Sequence, residues 1–262
     1  SKTINPGASS FNDLWFTGGG TYSFTGLNAT TSRTTLLSSG TVVLPSGTYS
    51  VGGSFLANGG SFTHNSGTLK FTASAAQTIK FNGSAAYNLL FAGSNTLTFT
   101  DTNVTANNTV TFQSGTTTLP TGTFTSGASF ISTGGAFTAN GGTVLFNSSV
   151  TGKLVSPGNS SFANLTFNNA TGGWTITQNA TSTATTTLTA AAAFALAPGT
   201  VFAVGGGFFN NVGGSATTFT SSTLFLNSGN GYTINSKILG GDIYGTLSLG
   251  ANTNIRMSAS SA

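Results

Sequence analysis

The segment Ser9-Ser10-Phe11-Asn12-Asp13-Leu14-Trp15-Phe16 decides the fold, because the chain writes it again. It returns as Ser84-Ala85-Ala86-Tyr87-Asn88-Leu89-Leu90-Phe91 and as Ser160-Ser161-Phe162-Ala163-Asn164-Leu165-Thr166-Phe167. A weaker fourth copy ends at Leu249, after a slightly longer interval. A second anchor keeps the phase: Leu44-Pro45-Ser46-Gly47-Thr48 matches Leu119-Pro120-Thr121-Gly122-Thr123. Phe55, Phe62 and Phe71 likewise match Phe130, Phe137 and Phe146, and Leu196, Phe208 and Leu226 follow with offsets that lengthen slightly. Self-similarity at a fixed long period, here about 75 residues, is the signature of a repeat architecture.

Within each repeat the period is two. Thr96-Leu97-Thr98-Phe99-Thr100, Thr109-Val110-Thr111-Phe112 and Thr68-Leu69-Lys70-Phe71 alternate apolar and polar residues, as strands with one buried face do. Gly-Gly, Asn-Gly and Ser-Gly pairs supply turns. No long window carries a helical stripe. The predicted fold is all-β: a parallel β-solenoid of about ten coils, each of roughly 25 residues, whose like residues stack on one another. A string of small β-sandwich modules and a propeller are the alternatives. The modules run 1–83, 84–159 and 160–240, with a partial fourth at 241–262, in one continuous solenoid.

Asn164-Leu165-Thr166-Phe167-Asn168-Asn169, preceded by Gly142-Thr143-Val144-Leu145-Phe146-Asn147 and by Ala76-Gln77-Thr78-Ile79 in the earlier module, resembles the "GTVTFNG…AQTI…FNNLTINN" repeats of large bacterial surface proteins. The resemblance covers nearly the whole chain and implies a β-helical stalk or fibre outside the cell, similar to adhesins and autotransporter passengers. It carries no catalytic residues.

Composition points the same way. The 262 residues include three acids (Asp13, Asp101, Asp242), one histidine (His64) and no cysteine. Acid–base catalysis needs paired titratable groups, and metal sites need clustered His, Cys, Asp or Glu. No enzymatic activity, cofactor or metal is therefore expected. Charged residues make up 4% of the chain, against about 25% in ordinary domains, while 22 Phe provide for a core. The net charge of +4 comes from scattered single Lys and Arg residues, which argues against nucleic acid as a partner. Residues 190–209 have the length and apolarity of a membrane span, but they contain Pro198-Gly199 and Gly205-Gly206-Gly207 and align with strands of the other modules, so no span is expected.

The chain opens without an initiator Met or leader, as a mature or excised product does, and it carries no polar terminal cap of the kind that keeps a solenoid monomeric. The expected function is thus that of an extracellular structural protein at the cell surface, part of a filament, fibre or adhesin stalk. Its partner would be itself, head to tail. The predicted self-association residues are Phe11, Leu14, Trp15 and Phe16 on one coil and Ile243, Tyr244, Leu247, Leu249 and Ile255 on another.

Two other functions compete. A carbohydrate-binding adhesin module would stack Trp15, Trp174 or Tyr residues on glycans. An ice-binding solenoid would use Thr tracts such as Thr96–Thr100 and Thr183–Thr187, although these tracts do not repeat identically between modules. Four smaller features complete the reading. Asp13, Asn88 and Asn164 share one module position and are expected to bond turn backbone. Lys80, Lys153 and Lys237 recur shortly before the anchors Phe91, Phe167 and Leu249, as a sparse basic column or as solvated edge residues. His64 has no partner in sequence. Nine Asn-x-Ser/Thr sequons, at Asn28, Asn82, Asn103, Asn107, Asn147, Asn159, Asn164, Asn169 and Asn179, permit N-glycosylation.

Overall fold

Short runs that alternate apolar with polar residues, many of them closed by Gly, Asn or Pro, fold as strands of three or four residues and then turn a corner. The structure is a computed structural model and describes residues 1–212, 216–227, 231–236 and 243–259. The described residues contain strands and turns and no helix, and the chain winds as a β-solenoid of about 11 turns. Strand pairs among the described residues are parallel, as successive coils of a solenoid require, which excludes the sandwich alternative. The chain forms two compact units, 1–125 with 132–140 and 126–131 with 141–262.

In the first unit each coil has three sides. Face A carries Lys2–Ile4, Thr21–Phe24, Thr41–Val43 and Ser61–Thr63. Face B carries Ala29–Thr31, Thr48–Val51, Thr68–Phe71, Asn88–Phe91 and Val110–Phe112. Face C is a seven-stranded sheet of Leu14–Phe16, Thr35–Leu37, Phe55–Ala57, Gln77–Lys80, Thr96–Phe99, Thr116–Thr118 and Ala136–Thr138. Paired residues are 20 or 21 positions apart, except for a step of 24 between Phe55 and Ile79. The coil is therefore shorter than a third of the sequence repeat, the length expected of it. Ladder pairing runs past residue 83, joining Thr68–Phe71 to Asn88–Phe91 and 77–79 to 97–99.

The second unit also has three sides. Face D stacks Thr143–Phe146 under 164–167, 186–188 and Phe208–Asn210. Face E stacks Lys153–Ser156 under 174–176, 194–196 and 217–219. Face F stacks Ala180–Ser182 under Val201–Val204, 223–226 and 246–249. Three strands here, Asn164–Ile176, Thr186–Leu196 and Thr217–Leu226, run through a corner and serve two faces, and the pairing offsets spread from 20 to 25. Residues 190–209 belong to this strand pattern. No helix among the described residues is long and apolar enough to cross a membrane.

The sequence repeat does not coincide with a whole number of coils. Asn88–Phe91 is the eleventh strand after Leu14–Phe16, a step of three full coils and two further sides. Each repeat therefore lands one face behind its predecessor. Phe16 is on face C and Phe91 on face B; Phe62 is on face A and Phe137 on face C. The second unit behaves alike, with Phe167 on face D and its counterpart Leu249 on face F. Phe146 and Leu226 make the same step from D to F.

The core is a column of inward side chains. Phe71, Phe91 and Phe112 are in register on face B and stack with centroids 5.5 and 5.1 Å apart. Phe146 and Phe167 do the same at 4.8 Å in the second unit. Offset parallel stacking adds about 0.5–1.5 kcal/mol per pair beyond area burial. Tyr49, 1% exposed, lies in the neighbouring inward rank, in register with Leu69, and its hydroxyl is held by Thr31 and Thr35, each at 2.8 Å. Burial pushes its pKa up to about 12, against the opposing pull of those two hydrogen bonds.

Candidate functional site

The coil corners are built by one recurring device. Asn28 Oδ1 accepts from Thr48 N–H at 2.7 Å, Asn103 Oδ1 from Thr123 N–H at 2.8 Å, and Asn179 Oδ1 from Val201 N–H at 2.8 Å. Each Asn thereby satisfies a backbone donor that the corner takes out of the ladder. At the first two corners glycine is required beside it: a Cβ on Gly47 or Gly122 would stand 2.6 Å from the Asn28 or Asn103 oxygen. These three Asn residues are sequon asparagines at one module position, so their recurrence has a structural cause. Of the other sequons, Asn82, Asn164 and Asn169 donate their side-chain amide to the backbone oxygens of Gly60, Gly141 and Asn147, and Asn107 contacts His64. Asn147 and Asn159 are exposed.

The acids do similar work. Asp101 accepts from Phe81 N–H at 2.6 Å and Asn82 N–H at 2.8 Å. Asp13 accepts from Thr34 N–H at 3.0 Å and faces Arg33 at 3.8 Å, an exposed pair of small energetic weight. Asn164 bonds turn backbone as expected, through Thr185 N–H and Gly141 O. Asn88 instead accepts from the Asn108 side chain at 3.0 Å. Asp13 and Asn88 do not form a column, since they flank faces C and B. Asp242 lies outside the described residues. Among the described residues no cluster of three His, Cys, Asp or Glu could hold a metal ion.

His64 has one local partner, Ser66 N–H, which donates to Nδ1 at 2.9 Å, and two that its sequence neighbourhood hides: Asn107 meets Nε2 at 3.1 Å, and the Tyr87 ring lies 5.2 Å away. Lys80 has Leu56 as its ladder neighbour and Lys153 has Trp174, so no lysine stacks on either. Lys237 lies outside the described residues.

Two surfaces remain. Trp15, 65% exposed, points outward on face C in register with Leu36, which is in register with Leu56. Trp174 is 1% exposed and belongs to the core, against Phe167 at 5.4 Å, so it cannot stack on a sugar. In the second unit Leu247 and Leu249 pair with Leu224 and Leu226. The lower pair is fully buried, while Leu247 and Leu249 are 38% and 47% exposed and Ile243 is exposed beside them. Of the other predicted self-association residues, Phe16 is buried, and Phe11 and Leu14 are half-buried. Tyr244 and Ile255 lie on strands, and their side chains lie outside the described residues. No family model matches the chain, and neither a curated protein nor a solved structure matches it.

Proposed function

We propose that the chain is an extracellular structural protein, a subunit or segment of a surface filament, fibre or adhesin stalk, that associates end to end with itself. The observation that carries this reading is the pair of ladder positions at Leu247 and Leu249, exposed above the buried Leu224 and Leu226 and, among the described residues, paired on one side. A coil stacked there would cover the same apolar column and continue the same parallel backbone ladder, which is how strand addition joins chains. A second copy presenting its Phe11–Phe16 edge, which among the described residues is paired on one side, offers apolar residues to it, and such a heterologous contact propagates as an open filament. The scarcity of charge supports this reading, since like-charged residues would repel between stacked copies.

Electron microscopy and sedimentation of the purified chain test it. Wild type is expected to form long filaments, and Leu247→Lys with Leu249→Lys, or deletion after Gly240, to leave short particles. Filaments of unchanged length in both variants contradict the proposal. The exposed Trp15–Leu36–Leu56 stripe favours a second reading, a carbohydrate-binding adhesin surface. Glycan binding by dispersed wild-type particles, lost in Trp15→Ala, would select it.

A further inference from the structure

Face C carries an ordered hydroxyl array that the repeat pattern conceals. Thr78, Thr98, Thr118 and Thr138 are evenly spaced in the chain and occupy four successive rungs in direct register. Thr96 and Thr116 form a second rank beside them, which Ala136 continues without a hydroxyl. All six Thr side chains point to the solvent side, because Leu97, Phe99, Thr117 and Phe137 take the inward positions on the same strands. Lys80 is the one charged residue on these four strands.

The hydroxyls of this array differ from other Thr hydroxyls of the molecule. Thr72 and Thr100 turn back to the carbonyls of Val51 and Ile79, Thr183 turns back to Phe162, and Thr41 bonds Ser61 on face A. None of the six hydroxyls in the array makes a hydrogen bond within the protein among the described residues. Each is left to bond water, beside a methyl group that water can only surround. Successive rungs of a parallel sheet are about 4.7–4.9 Å apart, and residues i and i+2 on one strand about 6.6–6.8 Å apart. Both spacings lie close to repeat distances of the oxygen lattice of hexagonal ice. Waters bridging such hydroxyls would take the spacing of the ranks, so that part of their ordering would precede contact with ice.

The second Thr tract lacks this arrangement. Thr186 points inward, and the outward Thr187 is followed on the next rung by Phe209. Non-identical modules are no argument against an array on face C, since the coil and not the module sets which residues are neighbours.

We infer that the Thr78–Thr138 ranks of face C order water in an ice-like net and bind a growing ice surface. This activity is separate from end-to-end association, because face C lies on the side of the coils and not across their ends.

The test is partition of the full-length chain into slowly growing ice, with thermal hysteresis read on the same sample. Wild type is expected to enter the ice and to depress the freezing point below the melting point. Thr98→Tyr with Thr118→Tyr should lose at least ten-fold in both readouts with unchanged circular dichroism, while Thr30→Tyr on face B should lose nothing. If the Tyr pair disturbs folding, Thr98→Ala with Thr118→Ala replaces it and should lose several-fold. Wild type excluded from ice, or variants that enter it undiminished, would overturn the inference. Retention on crystalline cellulose without ice partition, lost in the same variants, would overturn it in favour of a polysaccharide lattice. Filament length, scored separately by microscopy, keeps the outcome distinct from that of the structural reading.

Discussion

The two units solve the same winding problem differently. In the first, every side of the coil is a separate short strand, many of them ended by Gly, Pro or Asn, and the pairing offset hardly leaves 20 or 21. In the second, corners such as 189–193 lack glycine, and strands of 10 to 13 residues bend through them with register shifts near Phe167 and Asn169. Glycine and asparagine corners fix the length of a coil, and bent strands let it vary. The sequence repeat lengthens toward Leu249 over the region that holds these bent strands.

The largest effect that would break this comparison is in the core they share. Phe91→Ala removes the middle ring of the Phe71–Phe91–Phe112 stack and should destabilise the first unit by about 3–5 kcal/mol in chemical denaturation. Phe209→Ala, at an exposed position of the second, should change stability by less than about 0.5 kcal/mol.

Next comes pH. An unfolded tyrosine ionises near pH 10, whereas burial holds Tyr49 neutral up to about 12. Its contribution is therefore complete below pH 10 and is lost as pH rises through 12, about 3 kcal/mol in all. Denaturant melts at stepped alkaline pH should show this loss in wild type and not in Tyr49→Phe.

The corners should separate the units more finely. Gly122→Ala drives a Cβ against Asn103 and the Thr102 carbonyl and should cost about 1–3 kcal/mol. Asn103→Ala leaves Thr123 N–H without its acceptor and should cost about 1 kcal/mol, measured by thermal melting.

The all-β class, the parallel winding and the inward Phe positions were legible in the sequence, because alternation and anchor spacing are local. The coil length was not. The long repeat is the most visible period, yet it is a multiple of strands rather than of coils, and dividing it by three led to a coil that was too long. The shorter period was present in Thr78, Thr98, Thr118 and Thr138, but common residues make weak anchors. The stacking of Trp174 was hidden for a related reason: Gly172 and Gly173 sit where the strand turns its corner and bring the indole inside. The Asn107 partner of His64 and both backbone partners of Asp101 come from other coils, 19 to 43 residues away, beyond any motif.

The central claim, a three-sided coil shorter than a third of the sequence repeat, is most directly tested by paired cysteines, since the chain has none of its own. Thr98→Cys with Thr118→Cys places two thiols on adjacent rungs, where backbone separation suits a disulfide. Mild oxidation should close this pair within the monomer. It should leave open Thr98→Cys with Thr123→Cys, the pair that a coil of one third of the repeat would bring together. Closure of the second pair in preference to the first would contradict the account.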